Sequence, residues 1–132
     1  MSPGYPTFPL RRGDIYKIQV PFTEDSTKQK LHPVLVLRDE RHEKPKAPFT
    51  IVAYGTSNVD YAGHPFALKI DRATFPLLTL DSTTFFLAHR LHTVDKEKYF
   101  NKAPYLGRLS ADFMDDFDEL LVLALQIGEF KE

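Results

Sequence analysis

A run of four apolar residues, Val34–Leu37, directly follows a histidine and a proline, His32 and Pro33. An uninterrupted apolar run with β-branched side chains at alternate positions is typical of a central strand that is buried on both faces. A polar loop without an apolar anchor, residues 23–30, leads into this stretch. The chain therefore places an imidazole at the mouth of a buried strand, beside a loop rich in polar side chains.

The other apolar stretches are equally short, and two of them alternate with polar residues, as half-buried strands do. Several short strands in quick succession predict a compact β-barrel. We predict a first strand from Asp14 to Val20, which Pro21 ends or bends. Five further strands are predicted, at Val34–Leu37, Phe49–Tyr54, Phe66–Ile70, Thr83–Leu87 and Leu91–Val94.

The end of the chain has helical periodicity. Ser110 is a good N-cap, Asp112 complements the helix dipole in the first turn, and Gly128 is a plausible C-cap. One face of this helix is apolar and should pack on the sheet. Its members are Phe113, Phe117, Leu120, Leu121 and Ala124.

The length of 132 residues fits one domain with one modest core, and residues 1–12, with three prolines, read as an irregular lead-in. Apolar residues make up 42% of the chain and charged residues 27%, so we expect a globular protein. The predicted fold class is mainly β with a C-terminal helix (α+β), in a single domain over residues 1–132.

Composition also limits the possible functions. The chain has no cysteine, which excludes disulfides, thiolate metal sites and a cysteine nucleophile, and it favours a cytoplasmic protein. No signal peptide or membrane-spanning run is expected. The formal net charge is −1, so any contact with nucleic acid must be local. Acidic residues concentrate in residues 112–119, and we expect an RNA groove to lie elsewhere.

Five motifs occur in an order that resembles the MazF/PemK-like toxins of type II toxin–antitoxin systems. The resemblance runs from about Arg11 to Ile127, and no single segment decides it. The motifs are Arg12-Gly-Asp-Ile-Tyr16, Pro21-Phe-Thr23, His32-Pro-Val-Leu-Val-Leu37, Val52-Ala-Tyr-Gly-Thr-Ser57 and Leu106-Gly-Arg-Leu-Ser110.

The resemblance implies an SH3-like small β-barrel of the MazF/CcdB toxin type, usually a homodimer. It further implies a metal-independent endoribonuclease, with no cofactor, that acts on single-stranded mRNA. The implied partner is a cognate antitoxin whose tail covers the RNA groove.

Members of the resembled family carry an arginine directly before the proline of the second strand, and His32 holds that position here. The family also carries a threonine or serine at the end of the third strand, matched by Thr56 with Ser57 beside it. Metal-free RNA cleavage needs a base, an acid and a cation. Histidine can fill each of these roles, whereas arginine serves mainly as the cation. Thr56 or Ser57 could hold a phosphate oxygen.

Other side chains are candidates for RNA binding. Lys28, Lys30 or Arg90 could restore the positive charge that the family arginine normally supplies. If Thr93–Asp95 matches a later segment of the family, His89 falls at a position where some members have a site residue. Arg90 is one residue away from that position. His89 and His92 should point to opposite faces of a strand, which argues against a shared metal.

Plainer interpretations stay open. A histidine before proline is often a polar edge residue, Tyr54–Ser57 is by itself an ordinary strand-ending turn, and the two lysines fit a solvated loop. The replacement of the family arginine favours an alternative function, a catalytically inactive or protein-targeting binding module on the same barrel, since fold does not fix the target. A general nucleic-acid binder is weaker, because the net charge is near zero.

Overall fold

The computed structural model describes residues 9–19, 31–44, 46–72, 80 and 82–127. Within these ranges, six antiparallel strands form one sheet in the order β4-β5-β3-β2-β1-β6, and the C-terminal helix packs on it. The strands are β1 (Asp14–Gln19), β2 (Leu31–Val36), β3 (Phe49–Thr56), β4 (Ala67–Ile70), β5 (Thr84–Asp95) and β6 (Tyr105–Arg108). The helices are a 3-10 helix (Val59–Tyr61), α1 (Lys96–Tyr99) and α2 (Ala111–Leu125). The predicted mainly β fold with a C-terminal helix is confirmed.

The second half of the sheet differs from the prediction. Thr83–Leu87 and Leu91–Val94 were expected to be two strands, but they are parts of the continuous strand β5. A β-bulge interrupts the pairing of β5 with β3. The alternation of apolar and polar residues shifts at the bulge, so that one strand has the sequence pattern of two. β6 was not predicted, since its four residues include Gly107 and carry no clear alternation. The sixth strand is therefore β6.

The helix α2 begins as predicted and ends earlier. Ser110 is the N-cap, and its Oγ accepts a hydrogen bond from the backbone N–H of Phe113 at 3.4 Å. Gln126, in the left-handed conformation at φ 55°, is the C-cap in place of Gly128, which lies outside the described residues. Phe117 is fully buried, and Phe113, Leu120, Leu121 and Ala124 pack against the same core cluster, as predicted. Within the described ranges, no helix has the length and apolarity needed to cross a bilayer.

Both faces of the sheet are buried. Ile15 and Leu35 belong to the cluster that α2 covers, whereas their neighbours Tyr16 and Val34 belong to a second cluster on the opposite face. The second cluster also contains Phe100, whose ring meets that of Tyr16 edge to face at 5.3 Å. Side chains of successive residues in a strand point to opposite faces, so a strand that is apolar throughout needs cover on both sides.

A buried ion pair joins three distant segments of the chain. Glu40 is 7% exposed and Lys96 4% exposed, and the ammonium of Lys96 is hydrogen-bonded to Oε2 of Glu40. Oε1 of Glu40 accepts a hydrogen bond from the backbone N–H of Leu10 at 2.7 Å. The lead-in, the loop after β2 and the start of α1 are thereby held at one point.

We expect Lys96→Met to lower the free energy of unfolding by about 3–5 kcal/mol, because it leaves the Glu40 carboxylate buried without its counter-charge. The double variant Glu40→Gln/Lys96→Met removes both charges and should lose less than the sum of the single variants. Urea denaturation measures both free energies of unfolding, and the m-value should be the same in the wild type and the variants. A loss below about 1 kcal/mol for Lys96→Met, typical of a surface pair, would contradict this account.

Candidate functional site

His32 lies in β2 and is hydrogen-bonded to a tyrosine of the neighbouring strand. Nδ1 of His32 and Oη of Tyr54 share a hydrogen bond of 3.2 Å, and the two ring centroids are 5.2 Å apart. β2 begins at Leu31, so the imidazole belongs to the strand itself, opposite Ile18 of β1. The hydrogen bond restricts the orientation of the ring and engages one of its two nitrogens.

Gly55 allows the strands around His32 to approach closely. A Cβ at Gly55 would lie 2.6 Å from the carbonyl oxygen of Pro33 and 2.8 Å from the ring of Phe86, distances that side chains do not tolerate. The glycine between Tyr54 and Thr56 is therefore required for the observed packing of β3 against His32-Pro33 and β5.

The bulge in β5 brings Arg90 to the same tyrosine. Ala53 pairs with Leu91 and Gly55 with Phe86, so residues 87–90 of β5 stand opposite Tyr54 alone. Bulges of this kind redirect side chains. The guanidinium carbon of Arg90 lies 4.8 Å from the centroid of the Tyr54 ring, within the range of a cation–π contact.

Burial dominates the electrostatics of Tyr54. It raises the pKa of the phenol, and the positive charge of Arg90 opposes this shift. The phenol therefore stays protonated at neutral pH and can hold the imidazole without becoming charged. His32, Tyr54 and Arg90 form a connected group, with the tyrosine in the middle.

Thr56 and Ser57 have different environments. Oγ1 of Thr56 accepts a hydrogen bond from the backbone N–H of Asn58 at 3.1 Å, and the Thr56 hydroxyl is also hydrogen-bonded to the Tyr54 side chain. Ser57 is exposed and lines a cleft together with His32. Thr56 is thus placed to fix the tyrosine and the start of the following loop, while Ser57 lines the same cleft as His32.

The cleft has a volume of about 170 Å³ and is lined by residues of β1, β2, β6 and the start of β5, and by Ser57 directly after β3. Its walls combine a cation, an imidazole and three hydroxyls with apolar side chains, which suits a ligand with both charged and flat apolar parts. The lining residues are Lys17, Leu31, His32, Pro33, Ser57, Leu80, Ser82, Thr84 and Leu106.

The structure brings some predicted site residues together and separates others. His32 and Arg90 meet through Tyr54, and Ser57 shares the cleft with His32. His89 instead stacks on His64, with ring centroids 4.7 Å apart. Lys28 and Lys30 lie outside the described residues, as do Val20 and Pro21.

Sequence reasoning missed the role of Tyr54, although the residue stands in the motif Tyr54-Gly-Thr-Ser. The available signal was its spacing of two from Thr56, which places both side chains on one face of the strand. Arg90 was a candidate that stood one residue out of phase with the family segment, and the bulge in β5, which sequence reasoning did not predict, lies where Arg90 meets Tyr54.

This arrangement can support proton transfer beside an anion. An imidazole exchanges protons near neutral pH, a guanidinium stabilises negative charge, and hydroxyls donate to phosphate oxygens. Helix α2, which carries the acidic residues 112–119, packs its apolar face on the other core cluster, across the sheet from Tyr54. The imidazole and the guanidinium are thereby kept apart from the acidic surface of the helix.

Comparison with known proteins gives one family and many similar folds. A family model described as PemK-like, MazF-like toxin of type II toxin-antitoxin system matches residues 11–125. The toxin MazF-mt6 of Mycobacterium tuberculosis has a TM-score of 0.66 at 18% identity, with 88% of this chain and 99% of that chain covered.

Two further structures are similar to the same extent. MazF of Deinococcus radiodurans has a TM-score of 0.67 at 17% identity, covering 91% of this chain and 99% of that one. An endoribonuclease in complex with its cognate antitoxin, from a mycobacterial species, has a TM-score of 0.66 at 16% identity, covering 91% and 98%. At these identities the likeness establishes the fold.

Two histidines near the site should make stability depend on pH. Burial lowers the pKa of His89, as do the charges of His64 and Arg90, and burial together with Arg90 lowers the pKa of His92. The unfolded chain then binds these protons more readily, so the contribution is complete above about pH 6.5 and is lost as the pH falls through the folded pKa values.

We expect the melting temperature to fall between about pH 7 and pH 5, and to fall less in His89→Gln and His92→Gln. Differential scanning calorimetry of these variants, with the exposed loop variant His42→Gln as control, measures the effect. An equal pH dependence in all three variants and the wild type would contradict the assignment.

Proposed function

Since the chain belongs to the PemK-like, MazF-like toxins of type II toxin–antitoxin systems, we propose that it is a metal-independent endoribonuclease that cleaves single-stranded mRNA. The observation that carries the proposal is the connected group His32–Tyr54–Arg90 beside the cleft. It supplies an imidazole for proton transfer and a permanent cation, and it needs no metal ion or cofactor.

Cleavage by this group begins at the ribose 2′-hydroxyl. Nδ1 of His32 is hydrogen-bonded to Tyr54, and we assign the tautomer in which Nδ1–H donates to the Tyr54 hydroxyl. Nε2 is then the acceptor, and it takes the proton as the 2′ oxygen attacks the adjacent phosphorus. The bond from phosphorus to the 5′ oxygen breaks, and that oxygen takes a proton from water. The products are a 2′,3′-cyclic phosphate and a 5′-hydroxyl.

The remaining side chains stabilise charge. Arg90 faces the negative charge that develops on the phosphorane, a role that the family arginine before Pro33 would otherwise fill. Ser57, directly on the cleft, binds a non-bridging phosphate oxygen, while Thr56, one residue away, acts by holding the Tyr54 hydroxyl in place. His32 on β2 thus supplies proton transfer and Arg90 on β5 supplies permanent positive charge, at a site where the resembled family has one arginine. Lys28, Lys30 and His89 stay proposed RNA contacts.

The proposed partners follow from the family. A cognate antitoxin binds this chain, as in the mycobacterial endoribonuclease complex and the MazE-MazF complex of Deinococcus radiodurans. We also propose that the toxin is a homodimer and acts in the cytoplasm, where its mRNA substrate is translated.

The central test is cleavage of diverse single-stranded RNAs with EDTA present. His32→Ala should reduce the rate constant by about 10²–10⁴-fold, as loss of a general base does, and Arg90→Ala by about 10²–10³-fold. His42→Ala, in an exposed loop, is the matched control and should keep full activity. Growth arrest on expression should follow the same order.

His32→Arg adds a distinct readout for the same experiment. The wild-type rate should decline at acidic pH, because a protonated imidazole accepts no proton, and this decline should be absent in His32→Arg. Intact RNA with the wild-type protein, together with unchanged toxicity of His32→Ala, would overturn the proposal. Toxicity without any RNA cleavage would instead support the second candidate, a protein-targeting module, which the replacement of the family arginine favours.

Tyr54→Phe tests the positioning role of the tyrosine. The variant keeps the ring under Arg90 but loses the hydrogen bond to His32, which should lower kcat about five- to tenfold and leave KM nearly unchanged. Single-turnover kinetics measure the chemical step. A rise in KM with kcat unaffected would contradict the assignment, since it would mean that the hydroxyl binds RNA rather than orienting the imidazole.

A further inference from the structure

Four aromatic side chains form a second cluster that the proposed cleavage step does not use. The rings of Tyr61 and Phe66 each contact the rings of His64 and His89, and we call these four residues the imidazole platform. Its centre is the pair His64 and His89, whose rings are 4.7 Å apart and within 11° of parallel. Tyr61 and Phe66 lie tilted around the pair, at centroid distances of 5.6–6.4 Å.

The platform is fixed before any ligand arrives. Asn58 caps the 3-10 helix through a hydrogen bond from the backbone N–H of Asp60 at 3.0 Å. The backbone N–H of His64 donates to the carbonyl of Tyr61 at 3.0 Å, and Nδ1 of His64 accepts from the N–H of Phe66 at 3.1 Å. A platform held in this way loses little conformational entropy on binding.

The two imidazoles have the character of neutral aromatic rings. Because Nδ1 of His64 accepts a backbone hydrogen bond, the proton of the neutral ring is on Nε2. Burial and the neighbouring charges lower the pKa of His89, so this ring is neutral at pH 7. The stacked pair presents flat π-faces, which favours a flat uncharged ligand over an ion.

Metal binding does not fit this geometry. Nearly parallel rings stacked face to face do not aim their nitrogens at one point, and Nδ1 of His64 is already engaged. Tetrahedral zinc sites need converging ligands. Among the described residues, no group of three or more histidine or carboxylate side chains could hold a metal ion.

The platform adjoins the candidate active site along β5. His89 is exposed and directly precedes Arg90, whose guanidinium lies over the ring of Tyr54. Tyr61 of the platform is near enough to Tyr54 to raise the pKa of its phenol. A polynucleotide bound with one phosphate near Arg90 would therefore carry a neighbouring base past the ring of His89. Successive nucleotides on aromatic and cationic side chains are how proteins bind single strands.

We propose that the platform of Tyr61, His64, Phe66 and His89 is a nucleobase-binding subsite, on which one base next to the scissile phosphate stacks against His89. The proposal rests on the proposed function, because it takes the ligand to be single-stranded RNA. It adds a subsite for a base, next to the group that transfers the proton, on residues that take no part in the cleavage chemistry.

The test uses a short oligoribonucleotide with 2′-O-methyl groups throughout, which lacks the attacking hydroxyl, and measures its affinity by fluorescence anisotropy. His89→Leu keeps bulk but removes the π-face, and we expect its Kd to rise between about fivefold and a hundredfold. His89→Phe restores a ring and should bind within about threefold of the wild type. His42→Leu, in an exposed loop, is the control and should not change the Kd.

An abasic scan locates the stacked base. The same oligomer is prepared with one base removed at successive positions. One position should weaken binding to the wild type yet have no further effect in His89→Leu, because the removed partners are the same pair. Equal loss in His89→Leu and His89→Phe with a matching fall in melting temperature would indicate a structural role and overturn the proposal.

Cleavage of unmodified RNA separates the two possible failures. Wild-type cleavage combined with an unchanged Kd in His89→Leu overturns the platform and leaves the endoribonuclease standing. A wild-type protein that neither binds nor cleaves RNA overturns the proposed function, and the platform with it.

Discussion

The site depends on one break in regular strand pairing. β3 and β5 pair in register from Phe49 to Ala53, and then β5 takes extra residues opposite Tyr54 before the pairing resumes at Gly55. A regular ladder would place Arg90 and His89 on alternate faces, as side chains of adjacent residues in a strand are. At the bulge, the guanidinium of Arg90 lies over the ring of Tyr54, and the imidazole of His89 stacks on His64. Without a side chain at Gly55, β2 and β5 can close on this point from both sides.

A consequence of this geometry is that permanent charge and proton exchange reside on different strands. A single arginine beside a scissile phosphate provides charge but no practical base. Here an imidazole from β2 and a guanidinium from β5 share one tyrosine of β3. Tyr54 is therefore a junction: its hydroxyl orients one group and its ring face holds the other. In the proposed enzyme, His32 in place of the family arginine supplies proton transfer from β2, and Arg90 supplies the positive charge from β5.

Much of the fold could be predicted from the sequence, because the signals were local. Alternation in Tyr16 and Ile18, the apolar run after Pro33 and the cap at Ser110 each report on a few adjacent residues. The bulge in β5 could not be predicted, since it depends on how Ala53 and Gly55 pair with residues more than 30 positions away. The role of Tyr54 was missed for the same reason: its partners are on two other strands. His32 was identified through its motif, but the meeting with Arg90 needed the tertiary structure.

The buried contact of Glu40 with Lys96 has a consequence for the dynamics of the molecule. Lys96 follows the last residue of β5, so the strand that carries Arg90 is anchored at its far end to Leu10 and the loop after β2. Local opening of β5 would have to separate a buried charge pair, so the strand should exchange its amide hydrogens only in the most cooperative, near-global openings. In the proposed endoribonuclease, the conformational adjustment on binding would then fall to the single-stranded RNA rather than to the strand that carries Arg90.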